Sequence, residues 1–143
     1  MTDEQTPALN TKDEQRLREI FKTIPYVKLI GIKLVGIERG SATLRLDLRD
    51  ELMRNGGIAH GGVIASLIDT ASAFAVMSGL EPGQTTTTID LTIQYLRPLV
   101  KGQARAVARI LRSGRRVAVV SVDVKDEREV LAATALTSYL VMS

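Results

Sequence analysis

The sequence of 143 residues contains no cysteine and no tryptophan, and has a single histidine, His60. Without cysteine there can be no disulfide, no thiolate nucleophile and no cysteine-held metal. One imidazole is too little for a transition-metal site within one chain, so no metal is expected. Two phenylalanines and three tyrosines make up the whole aromatic content, which argues against a base-stacking, single-strand nucleic-acid binder. A net charge of +3, without any accompanying motif, does not point to nucleic acid either. The N-terminus lacks the basic-then-apolar pattern of a secretory signal, and a cytoplasmic location is expected. The long apolar run, residues 61–80, includes Ser66, Asp69, Thr70, Ser72 and Ser78 together with many small residues. It reads as a helix buried on most faces rather than as a membrane span.

The length suits one domain able to bury its own core. Residues 1–10 read as a disordered tail and residues 11–143 as the folded domain. A short helix is expected over residues 11–22, capped by Thr11 with Glu14 three residues on and ended by Pro25. Residues 29–38 read as a strand with bends at Gly31 and Gly36, followed by a turn at Arg39-Gly40. Ala42, Leu44, Leu46 and Leu48 then alternate with polar residues, the pattern of a half-buried strand. Residues 50–59 read as a loop and residues 60–78 as the long helix, with Gly79 as its stop. Four strands follow, over residues 85–97, 103–112, 116–125 and 129–141, joined by short turns. Short turns favour an antiparallel meander, and a sheet with one apolar helix to cover is expected to curl around it: an α+β fold.

The stretch Asn55-Gly56-Gly57-Ile58-Ala59-His60-Gly61-Gly62 places glycines where the long helix begins. A helix start offers unpaired N–H groups and partial positive charge, which suit an anion or a developing oxyanion. The helix then carries one charged residue, Asp69. A lone carboxylate on an apolar helix is costly unless it has a partner or a task. Together these features point to carbonyl chemistry.

Asn55, His60-Gly61-Gly62, Asp69 nine residues after the histidine, the strand residues 88–98 ending Tyr95-Leu96-Arg97-Pro98, and the hairpin Ser113-Gly114-Arg115-Arg116 carry a resemblance. Over residues 15–140 the chain resembles the hotdog-fold thioesterases of the phenylacetic-acid-degradation type, in the 4-hydroxybenzoyl-CoA thioesterase superfamily. The asparagine lies five residues before the histidine here, where some relatives have six. The resemblance implies a curved antiparallel sheet wrapped around one central helix. It also implies a homodimer joined edge to edge, often doubled to a homotetramer, that hydrolyses acyl-CoA thioesters at the dimer interface. Coenzyme A is then part of the substrate and no separate cofactor is expected.

On that reading, the Gly61 N–H is the oxyanion donor and Asp69 the general base or nucleophile. Eight residues along one helix span about 12 Å, too far for both to act on one carbonyl and its water. If they share a site, they must come from different chains. Thr88 could orient the water or simply suit a strand. His60 could act directly, but more naturally shapes the loop at the helix mouth. Asn55 could bond the thioester or the water, or make a turn. Residues 97–116 hold seven basic residues and no acidic one. They read as a solvated face or as a phosphate-binding surface for CoA, with Arg97, Lys101, Arg112, Arg115 and Arg116 favoured. Phe74, Met77 and Tyr95 are expected to line an acyl pocket for an aromatic or medium-chain group. An acyl-CoA sensor without turnover and an acyl-thioester hydratase are the competing readings.

Overall fold

A computed structural model describes residues 8–143. The first helix, α1 (Thr11–Thr23), is capped by Asn10 rather than Thr11: the Asn10 side chain accepts from the Asp13 N–H at 2.8 Å. With Leu9 packed on the core, the folded region reaches back past residue 11. The rest of the expected tail, residues 1–7, lies outside the described residues.

Pro25 does more than end α1. It opens a second helix, α2 (Pro25–Ile30), at the position where a missing N–H costs nothing. Gly31, at φ 87°, closes α2 in the left-handed conformation that favours glycine. The first strand therefore starts later than expected, as β1 (Ile32–Glu38), and pairs with β2 (Ser41–Asp47). The expected loop after β2 holds a short 3-10 turn (Asp50–Leu52) and a small hairpin of β3 (Met53–Arg54) and β4 (Ile58–Ala59).

The long helix, α3 (Gly61–Met77), is followed by β5 (Thr85–Tyr95), β6 (Gln103–Ser113), β7 (Val117–Lys125) and β8 (Leu131–Met142). The sheet order is β1-β2-β6-β7-β8-β5, with every pairing antiparallel. Only β6, β7 and β8 form the expected meander. The helix carries the chain across the sheet, so β5 docks on β8 at the far edge, and β6 returns to pair with β2. α3 packs against all six strands. Ala104, Ala106 and Ala108 on β6 are fully buried beneath it, and these small side chains let the helix sit close to the sheet. No helix among the described residues is long and apolar enough to cross a membrane.

One irregularity in β5 bears on the site. Thr88 pairs with Tyr139 and Asp90 with Ser138, so Ile89 is the extra residue of a β-bulge and stands 55% exposed. Residues directly opposite on paired strands share a face. Thr88 therefore faces α3 together with Tyr139, while beyond the bulge Leu91, Ile93 and Tyr95 face it too.

Candidate active site

His60 is the N-cap of α3. Its backbone is extended (φ −61°, ψ 134°), and its Nδ1 accepts from the Gly62 N–H at 2.8 Å. An Nδ1 used this way is an acceptor already occupied by the loop. The His60 N–H in turn donates to the Leu52 carbonyl at 2.9 Å, tying the helix start to the 3-10 turn.

Gly61 is the first residue of the helix, and its N–H has no partner among the described residues. Its carbonyl accepts from the Tyr95 hydroxyl at 2.7 Å, which anchors the helix start to the end of β5. Partial burial raises the Tyr95 pKa and keeps its hydroxyl a donor. A cavity of about 330 Å³ opens beside Gly61, lined among others by Arg54, Ile58, Ile64, Tyr95 and Arg97. This is a helix N-terminus with a free donor, a concave space beside it and two arginines among its lining residues.

Two turns further along α3, Asp69 is half-buried. Its Oδ1 accepts from Thr88 Oγ1 at 2.8 Å and from the Tyr139 hydroxyl, which also reaches the Asp69 carbonyl oxygen at 2.7 Å. Oδ2 has no hydrogen-bond partner, and no cation pairs with the carboxylate, among the described residues. Burial pushes the Tyr139 phenol far above its ordinary range, and the adjacent Asp69 carboxylate adds to the effect. Tyr139 was absent from the sequence expectations. A signal for it existed: β8 places Ala133, Ala135, Thr137 and Tyr139 on its core face, and a buried tyrosine needs a hydroxyl partner.

The other expected site residues disperse. Asn55 is exposed at the turn between β3 and β4, where Gly56 and Gly57 take positive φ of 87° and 71°. It belongs to a tight turn, and among the described residues only its backbone carbonyl is engaged, by Arg54 at 2.9 Å. Phe74 is 1% exposed and packs edge-on against Phe21, with ring centroids 5.2 Å apart. It lies in the core, on the side of the helix that faces α1. Met77 lines a separate cavity of about 910 Å³ at the C-terminal end of α3, with Ile20, Leu80 and Arg39.

The five expected CoA-binding cations do not converge within one chain. Arg97 flanks the Gly61 cavity, and Lys101 sits nearby with Leu99 and Asp126. Arg112, Arg115 and Arg116 cluster at the β6–β7 hairpin. The register places that hairpin at the opposite end of the sheet: Val117 lies beside Leu140, and Leu140 beside Thr87. Arg54, not expected from the sequence, joins Arg97 instead. No cluster of three or more potential metal ligands occurs among the described residues.

Comparison with known proteins agrees with this architecture. A protein of Saccharolobus solfataricus is 32% identical over 127 residues, covering 88% of this chain and 90% of its own length. The medium/long-chain acyl-CoA thioesterase YigI of Salmonella typhimurium is 32% identical over 133 residues, covering 82% of this chain and 86% of YigI. The solved structure of the PaaI protein from the phenylacetic acid degradation operon of E. coli superposes with a TM-score of 0.87 at 23% identity, over 94% of this chain and 96% of that one. The fold is therefore the hotdog, and the model of the thioesterase superfamily matches residues 56–133. With a wrapped helix, a free helix-start donor and a tethered carboxylate, this chain belongs to the thioesterase superfamily and is a thioester hydrolase.

Proposed function

We propose that the protein hydrolyses acyl-CoA thioesters in a site shared between two copies of the chain. The observation that carries this reading is the state of the polar groups on α3. Gly61 offers an unpaired N–H, and Asp69 offers one unpaired carboxylate oxygen, on a single continuous helix. Their separation of about 12 Å fits a site in which Gly61 of one copy polarises the carbonyl and Asp69 of the other delivers water or attacks. His60 acts as the cap that exposes the donor, and Thr88 holds the carboxylate. Arg54 and Arg97 are the best-placed cations for a CoA phosphate, with Lys101 beyond them, while Arg112, Arg115 and Arg116 form a separate basic patch.

The two edges of the sheet support the dimer. β1 is short, carries Lys33 and Glu38, and is bulged near Val35. Such features discourage pairing with another chain. β5 has 11 residues, no lysine, arginine or proline, and only β8 beside it among the described residues. Antiparallel pairing of two β5 strands about an axis between Leu91 and Thr92 would set Thr88 opposite Tyr95 of the second copy. That register brings Asp69 of one copy towards Gly61 of the other. Leu136 and Val117, at 49% and 41% exposure on the sheet face turned away from α3, are the natural surface for doubling to a tetramer.

The expected substrate is a medium-chain or aromatic acyl-CoA. The relation to YigI favours the aliphatic member of that pair. Cytoplasmic acyl-CoA would be the supply, and no cofactor beyond the substrate's own CoA is required. The test is free-thiol release from a panel of aliphatic and aromatic acyl-CoAs, by wild type and Asp69→Asn side by side. Turnover that collapses in the variant is the expected result. Undiminished thiol release by Asp69→Asn would refute the carboxylate's role.

A further inference from the structure

We propose that Tyr139 is a positioning residue that commits Asp69 to reacting through a single oxygen, Oδ2. The inference rests on the reading of Asp69 as the reactive carboxylate and adds how that carboxylate is aimed. Tyr139 reaches it from β8, the strand next to β5, and is 1% exposed. A phenylalanine would fill this core position without needing a partner. A buried phenol needs one, and the tyrosine hydroxyl finds it on the functional carboxylate.

The geometry is asymmetric. Two hydroxyls, from Tyr139 and Thr88, converge on Oδ1, while Oδ2 is left open. Both donors come from strands of the sheet, so they fix the carboxylate against a rigid wall rather than a loop. Both are neutral, so the carboxylate is oriented without losing its charge to an ion pair. The Tyr139 hydroxyl also reaches the Asp69 backbone carbonyl, so the phenol spans the main chain and side chain of the residue it aims. Its elevated pKa keeps it a donor at any pH at which the enzyme would work. Behind it, Thr137 donates to Ser72 Oγ at 3.0 Å, and both residues are fully buried, which closes the seam to solvent. A carboxylate free to rotate would spend most of its time misaligned, and misplacement by an ångström can cost about 100-fold in rate.

Tyr139→Phe is expected to lower kcat by about 10- to 50-fold while KM stays within about two-fold, since substrate binding is untouched. In an Asp69→Asn background the same substitution is expected to change kcat by less than about two-fold, because a residue that acts through the carboxylate has nothing left to position. Unchanged kcat in Tyr139→Phe overturns the proposal, and so does an equal loss in both backgrounds, which would mark a merely structural role. Should Tyr139→Phe fail to fold, 3,5-difluorotyrosine at position 139 keeps the ring and hydroxyl while altering donor strength. A changed kcat confined to the Asp69 background then supports positioning, and an unchanged kcat refutes it. Full turnover by Asp69→Asn alone would instead bring down the functional reading on which the proposal stands.

Discussion

The first and third turns of α3 treat polar groups in opposite ways. At the first turn a donor is left free: the cap side chain satisfies Gly62 and leaves the Gly61 N–H open beside a cavity. At the third turn an acceptor is half saturated: Asp69 has one oxygen doubly bonded to hydroxyls and the other open. On the proposed reading, one end receives developing negative charge and the other supplies electrons. On that reading a single helix carries both halves of a carbonyl reaction, too far apart to be used on the same molecule. This contrast supports the proposed dimer, in which two half-sites would meet across the bare β5 edge.

Removing the electron-supplying half should have the largest effect. Asp69→Asn is expected to cut kcat/KM for an acyl-CoA by about 1,000-fold, read as thiol release, with little change in melting temperature. Removing the electron-accepting half should come next. Gly61→Pro deletes the N–H at the first helical position, where proline is favoured, and His60 already has the extended backbone that a following proline requires. A side chain there would meet Tyr95 only at ordinary contact distance, 3.5 Å. The variant should fold and lose about 3 kcal/mol of transition-state stabilisation, measured as kcat.

His60 sharpens the contrast further. As a cap, His60→Ala should cost about 1 kcal/mol of stability in denaturant titration, and His60→Asn should restore it along with most of the activity. Equal inactivation of both variants would make the imidazole a reacting group. The smallest effect concerns Tyr139. Its pKa is raised in the folded state, so the stability it contributes is complete below the ordinary tyrosine range and is lost as pH rises from there towards the raised value. Alkaline unfolding of wild type should therefore show a pH dependence that is weaker in Tyr139→Phe.

Much of this was legible in the residues. The alternation in β2, the apolar length of α3 and its glycine-marked start follow from periodicity and turn chemistry, and the structure has them within a residue or two. Sheet order was not legible. Turn lengths suggested a meander, whereas β5 pairs with β8, a contact set by how the sheet closes over the helix and by no local pattern. Of the expected pocket residues, Tyr95 lines the Gly61 cavity, whereas Phe74 and Met77 lie elsewhere for a related reason. Phe74 and Met77 lie on the right helix, but which side faces core and which faces cavity depends on where α1 docks, and α1 covers Phe74 with Phe21. The Arg97 and Arg116 groups are near in sequence and far in space, because the full length of one strand, β6, runs between them.

The bulge at Ile89 bears on how such a site can be found in other chains. Thr88 and Asp90 already pair with consecutive residues of β8, Tyr139 and Ser138. The residue at position 89 could be lost over time, and the side chains on either side would keep their facing. The presence or absence of the bulge residue is therefore invisible to the fold but visible to residue counting. A pattern that fixes the spacing from the aspartate to the end of β5 would pass over relatives that keep the same hydroxyl on the same carboxylate. The sounder signature pairs Asp69 with residues that meet it across the sheet, Thr88 and Tyr139, whatever number separates them along the chain.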